Sequence, residues 1–159
     1  MSACELQLDH TPRPFTVARR ATQELRFAKE PEMAWFAIDP WLEHIVHETL
    51  GENTRFTARV TCDDVRLMVV ADRDWLERVI VSLVGDAQEA MPRGGSLDVR
   101  IRPAGDFVKI SITDNAIPSR RDVALAHAVV TRMGGRMMVH SETSAGTTFT
   151  LWLRNGALT

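Results

Sequence analysis

Cysteine is scarce in this chain. Its 159 residues hold only Cys4 and Cys62, too few for a disulfide framework. Both fit a reducing compartment, where a thiol serves as a small apolar side chain. Long apolar runs are missing as well. No stretch approaches the roughly 18–20 residues of a membrane span, so direct membrane insertion is not expected. Residues 1–14 carry acids and prolines and no apolar stretch of the kind that opens a secretory leader. The expected location is the cytoplasm. Positive charge is not in excess: 19 Lys and Arg face 21 Asp and Glu, for a formal net charge of -2. A nucleic-acid partner is therefore not expected, because affinity for a phosphate backbone grows with the cations that neutralise it. Internal repeats and low-complexity tracts are also lacking. What remains is a globular composition, 45% hydrophobic, at a length that suffices for one domain with its own core.

Two units are expected along the chain. Residues 1–31 form an N-terminal segment. In it Phe15, Ala18, Ala21, Thr22, Leu25 and Ala28 recur at helical spacing. That pattern predicts a helix over 15–30, bounded by Thr11-Pro12-Arg13-Pro14 and Pro31. Residues 32–159 form the main domain. A short strand over 33–38 leads to Asp39-Pro40, read as an N-cap and first helical proline. That helix reaches Leu50 and stops at Gly51. Residues 54–61 and 65–70 read as a hairpin around Cys62-Asp63-Asp64. Asp72 caps a helix running through Met91. Strands over 96–102 and 107–113 pair around Pro103-Ala104-Gly105-Asp106. A helix over 120–133 follows, and strands 136–142 and 147–153 close the domain around Thr143-Ser144-Ala145-Gly146. Paired strands alternating with helices imply helices stacked on one face of a mixed sheet.

Three positions draw chemical interest. Ser82 and Asp86 stack one turn apart on the flank of the apolar face formed by Leu76, Val79, Ile80, Leu83, Val84, Ala87 and Met91. Spacing alone reads Asp86 as a solvated edge acid or as an acid at the rim of a site. Asp114 shares the parity of Val108, Ile110 and Ile112 and so points to the core at a strand end. A carboxylate there needs a partner, which a turn formed with Asn115 or a ligand can supply. Thr147 shares the parity of Phe149, Leu151 and Leu153; it is a satisfied core hydroxyl or a ligand contact.

The order and surroundings of these positions carry a resemblance. Leu76 through Gly95 is similar to the N box of bacterial sensor histidine kinases. Val108 through Asn115 is similar to their first glycine box. Met133-Gly134-Gly135 through Ser141 and Gly146 through Leu151 resemble their closing strands. Residues 15–30, with Gln23-Glu24-Leu25-Arg26-Phe27-Ala28, resemble the end of a second dimerisation helix. The chain is identified as a member of the GHKL superfamily, which has the Bergerat ATP-binding fold. The resemblance implies a two-layer α/β sandwich: a mixed, mostly antiparallel five-stranded sheet with three helices on one face, preceded by one N-terminal helix. It implies ATP and Mg²⁺ as cofactors if the pocket survives, and no cofactor if it does not. Asp114 matches the adenine-reading aspartate and Thr147 the hydroxyl that assists it. Asp86 falls on the Mg²⁺-holding asparagine, and Ser82 on the position that assists transfer.

The departures from the family pattern are concentrated in the loops. The family reads Asp-x-Gly-x-Gly where this chain has Asp114-Asn115-Ala116-Ile117-Pro118. Only Ser119, Arg120 and Arg121 stand where the family carries a longer lid. Asp122 opens the next helix without the glycines of a second box. Arg120 and Arg121 read as solvated charge or as phosphate contacts. The His-acid phosphoacceptor motif has no good match, since His10 lies outside any predicted helix. The expectation is a degenerate histidine-kinase-type ATP-binding domain in two-component signalling, a binding or regulatory module. The alternative is a residual kinase domain that transfers phosphate to a histidine on another chain. Expected partners are a histidine kinase or a response regulator, together with a second copy joined through residues 15–30.

Overall fold

Alternation with period two decides which way each strand faces. The computed structural model describes residues 30–64, 66–117 and 123–158. The helix expected over 15–30 lies outside them except for its last residue, and so do Pro118, Arg120, Arg121 and Asp122. Strand β1 is Ala34–Ala37, β2 Phe56–Cys62, β3 Met68–Ala71, β4 Gly95–Ala104, β5 Phe107–Asp114, β6 Arg136–Glu142 and β7 Gly146–Asn155. β4 buries Leu97, Val99 and Ile101 and exposes Ser96, Asp98, Arg100 and Arg102. β5 buries Val108, Ile110 and Ile112, and β7 buries Phe149, Leu151 and Leu153. One face of the sheet is therefore apolar and calls for a second layer.

Three helices supply that layer. Helix α1, Ile38–Leu50, buries Ile38, Leu42, Ile45, Val46 and Leu50. Helix α2, Arg73–Ala90, buries Leu76, Val79, Ile80, Leu83, Val84 and Ala87. Helix α3, Ala124–Arg132, buries Ala126, Val129 and Val130. These are the i, i+3, i+4 stripes of amphipathic helices laid on a sheet. The two-layer sandwich with three helices and a mixed sheet agrees with the sequence reading.

The strand count does not. The sheet has seven strands, in the order β1-β3-β7-β5-β4-β2, with β6 also paired to β7. The resemblance implied five, whereas the residue patterns predict a strand near each of the seven; β1 and β3 extend the core because Phe36, Val69 and Ala71 are buried with it. All pairings are antiparallel except β2 with β4. The hairpin expected between residues 54–61 and 65–70 does not form. β2 runs beside β4, from Phe56↔Gly95 to Cys62↔Ile101, while β3 joins β1 and β7 on the other side of the sheet. The backbone groups between them explain the separation. Asp63 N–H donates to Ile101 O at 3.0 Å, prolonging the β2–β4 ladder, and Leu67 O accepts from Ile38 N–H at 3.0 Å beside α1. The two ends of the connection are thus held by different partners.

Helix α1 also begins two residues earlier than expected. Ala37 is its N-cap with no side-chain cap bond, and Asp39 lies in the first turn. Burial of Ile38 and its bond to Leu67 fix the start, and Pro40 fits a first turn because no intrahelical N–H is needed there. The cap of α2 is as expected. Asp72 Oδ1 accepts from Asp74 N–H at 3.0 Å and Trp75 N–H at 3.1 Å, and its Oδ2 accepts from Glu32 N–H at 2.6 Å. One buried carboxylate therefore ties α2 to the chain entering β1. Asp72→Ala is expected to lower the unfolding free energy by about 2 kcal/mol, at the upper end for caps, and Asp72→Asn by well under half of that. Urea denaturation of both variants measures the difference.

Candidate functional site

The register of the sheet turns single residues into rows. Across the inner face one row runs Val60, Val99, Ile112, Phe149 and Val139. It is apolar from end to end. The next row runs Ala58, Leu97, Asp114, Thr147 and Ser141. It is apolar over two strands and polar over three. Sequence parity therefore puts a carboxylate and two hydroxyls side by side at one end of the face that the helices cover.

Asp114 and Thr147 are direct cross-strand partners, 1% and 0% exposed. They are two of the three buried polar or charged residues among those described, the third being the Asp72 cap. The Thr147 hydroxyl bonds the Ser141 hydroxyl at 2.9 Å. Asp114 Oδ1 accepts from Ala116 N–H at 3.1 Å, closing a turn on itself. Gly146 makes the close approach of β7 to this corner feasible. Its φ is +80°, and a Cβ added there would stand 1.8 Å from Asp114 O. Only glycine fits. Asn115 is not aimed at a ligand: its Oδ1 accepts from Ser96 N–H at 2.9 Å and braces the start of β4. Ala116 is buried in the core, and Ile117 is 85% exposed.

The remaining sequence candidates lie on α2. Asp86 is half-buried, flanking the core residues Leu83 and Ala87, and Ser82 is exposed one turn before it. The inward parity of Asp114 and Thr147 and the flank position of Asp86 agree with the sequence reading. Ser141 was missed, although its odd-numbered parity with Met137 and Val139 was available as a signal. Gly146 is marked in the sequence as a turn residue and as the start of a closing strand, but its close approach to Asp114 is visible only in the structure. Cys62 is no candidate nucleophile. Its half-buried thiol donates to Asp64 O, and burial, aided by the Asp39 and Asp63 carboxylates, pushes the thiol above its ordinary pKa.

The elements that build this corner are also the ones shared with known proteins. A family model described as histidine kinase-, DNA gyrase B- and HSP90-like ATPase matches residues 71–157, more than half of the chain. The chain belongs to this ATPase family. The matched segment contains all of α2, β4, β5, α3, β6 and β7, and therefore Ser82, Asp86, Asp114 and Thr147. Sensor histidine kinase ZraS of Escherichia coli (strain K12) is 27% identical over 161 aligned positions, which cover 85% of this chain and 34% of that protein. The chain spans about a third of the length of the curated relatives it matches. Among solved structures, the nucleotide-free catalytic domain of histidine kinase ThkA aligns with a TM-score of 0.69 at 18% identity, covering 78% of this chain and 97% of that one. ThkA in complex with the response regulator TrrA gives 0.70 at 18% identity, covering 89% and 48%. Full-length ShkA in complex with AMPPNP gives 0.70 at 16% identity, covering 87% and 35%. At these identities the structural likeness speaks for the fold alone. The domain is thus an ATPase domain of the histidine kinase-like family, and a segment of the sensor histidine kinase ZraS is similar to it. Among the described residues no helix is long and apolar enough to cross a membrane.

Proposed function

We propose that this ATPase-family domain acts in two-component signalling as a non-catalytic binding or regulatory module whose glycine boxes and lid have been lost. The observation that carries the reading is the turn after β5. Where the family places a glycine, Ala116 packs its side chain into the core and returns its N–H to Asp114 Oδ1. An acceptor that the family offers to the adenine is thereby engaged by the chain itself. Pro118, at the second glycine position, has no N–H to offer a phosphate.

The residues fit the cofactor in part. Asp114 and Thr147 supply an acceptor and a hydroxyl suited to a base edge, and Asp86 supplies a carboxylate suited to Mg²⁺. The positions that would cradle a triphosphate do not fit it, so no transfer step is derived through ATP. The partners proposed are a histidine kinase or a response regulator. The ThkA–TrrA complex supports a regulator as partner. The unit boundaries at 1–31 and 32–159, a homodimer through residues 15–30 and a cytoplasmic location complete the proposal.

A second reading keeps the nucleotide. The buried Asp114–Thr147 pair and the AMPPNP complex of ShkA favour residual ATP binding. In that reading phosphate passes to a histidine on another chain, with Ser82 at the assisting position. Catalysis of this type depends on positioning and charge stabilisation, which a shortened lid weakens. Titration calorimetry and thermal shift with ATP, ADP and Mg²⁺ separate the two readings. The first predicts no heat and no shift. The second predicts stabilisation by about 2.7 kcal/mol at a hundredfold excess over Kd, abolished in Asp114→Asn.

A further inference from the structure

The face of the sheet turned away from the helices carries its own chemistry. In a chain of net charge -2, its strand positions present Arg59, Arg100, Arg102, Lys109, Arg136 and Arg154 against the acids Asp98 and Glu142. Glu142 is paired with His140 at 2.9 Å, and Asp63 at the end of β2 is paired with Arg102 at 3.2 Å. Lys109, Arg136 and Arg154 have no carboxylate partner among the described residues. Two of them, Lys109 and Arg136, flank one aromatic side chain. Lys109, Trp152 and Arg136 are consecutive members of one cross-strand row. Lys109 Nζ stands 5.8 Å and Arg136 Cζ 5.5 Å from the Trp152 ring centroid, and Arg136 Cζ also lies 5.3 Å from that of Phe107.

Beside this row a cavity of about 360 Å³ opens where α3 turns into β6. His127 and Thr131 of α3 line it together with Arg136, Met137 and Met138 of β6 and Trp152 of β7. Met138 is 64% exposed, an unusual state for a methionine beside an aromatic and an arginine. Exposed Met, an aromatic and unpaired Arg are the residue types enriched at protein interfaces.

We infer that this surface docks an acidic polypeptide segment of a partner protein, one apolar side chain entering the cavity and flanking carboxylates meeting Arg136, Lys109 and Arg154. Charge complementarity commits the occupant to an acidic one. The geometry favours polypeptide over single-stranded nucleic acid, because two cations already stand over the Trp152 ring that a base would stack on. The cavity lining of two methionines suits an aliphatic side chain. The cation row lies on the opposite face of the sheet from Asp114 and Thr147, and the cavity opens at the edge strand β6 between α3 and that row; neither includes Asp114 or Thr147, and the test therefore compares binding with and without ATP.

The test uses the full chain and a fluorescein-labelled peptide of alternating glutamate and leucine, followed by anisotropy. Comparison probes are the lysine–leucine counterpart and a labelled oligothymidylate. Expected are saturable binding of the acidic peptide, no binding of the basic one, and equal affinity with and without ATP. Arg136→Glu and Lys109→Glu are each expected to weaken binding about tenfold, and Met138→Asp by a similar factor, with unchanged melting curves. Arg59→Glu, on the same face but at the far edge strand β2, is expected to weaken it less than about twofold. Absence of peptide binding overturns the inference. So does an Arg59→Glu effect equal to that of Arg136→Glu, or tighter binding of the oligothymidylate.

Discussion

Gly146→Ala is expected to destabilise the domain by about 2–4 kcal/mol, against about 1 kcal/mol for Gly105→Ala. Both glycines occupy left-handed backbone at hairpin turns, with φ of +80° and +63°. Each substitution therefore carries the conformational cost of about 1–2 kcal/mol or less for an L residue in that region. The surroundings differ. A Cβ on Gly105 meets nothing within 4 Å, whereas one on Gly146 would overlap the Asp114 carbonyl oxygen at 1.8 Å and crowd Asn115 Cα at 3.1 Å. Relieving that overlap requires backbone movement, typically about 1–3 kcal/mol more. At roughly 2–4 °C per kcal/mol for a chain of this size, the melting point should fall by about 4–16 °C in one variant and by a few degrees in the other. Thermal denaturation followed by circular dichroism measures both. Equal losses would show that the close approach of β7 to Asp114 does not hold the corner together.

Phe149→Ala is expected to cost about 3–5 kcal/mol, the range for a buried aromatic truncated to alanine. Phe149 is fully buried in the apolar row, between Ile112 of β5 and Val139 of β6. Removing its ring leaves a void that flanking strands cannot close without breaking register, since each is held along its length by ladder bonds. Domains are stable by only about 5–15 kcal/mol, so the variant should be partly unfolded near physiological temperature. Val139→Ala, in the same row but 38% exposed at its end, should cost about 1 kcal/mol or less. Urea denaturation with tryptophan fluorescence distinguishes the two. A loss at position 149 no larger than at 139 would contradict the assigned register.

What the sequence reveals here follows the range of the interactions concerned. The alternation in β4, β5 and β7, the apolar stripe of α2 and the Asp72 cap are local, and each was legible. The inward aim of Asp114 and Thr147 follows from parity and was legible too. That they face each other depends on register between strands more than thirty residues apart, which the family resemblance implied and spacing could not. The hairpin expected from 54–61 and 65–70 fails for the same reason. Proximity in sequence favours local pairing, yet the Asp63–Ile101 and Ile38–Leu67 bonds, both non-local, decide the outcome. Asn115 reads as a turn residue or a site residue until its bond to Ser96 is seen. The basic outer face is hidden in the sequence because its six cations are dispersed over five strands among enough acids elsewhere to leave the net charge at -2.

The place of β7 has a consequence for how the domain assembles. β1 and β3 reach the rest of the sheet only through the pairing of Val69 and Val70 with Asn155 and Arg154, and β5 lies against the other edge of β7. The strand that emerges last from the ribosome thus joins two parts made much earlier. Until it arrives, β3 and β5 both present unpaired edges, the features that invite misassociation of nascent chains. Loop closure over such separations is also slow. Folding of this domain is therefore expected to finish only after synthesis of β7, in one cooperative step.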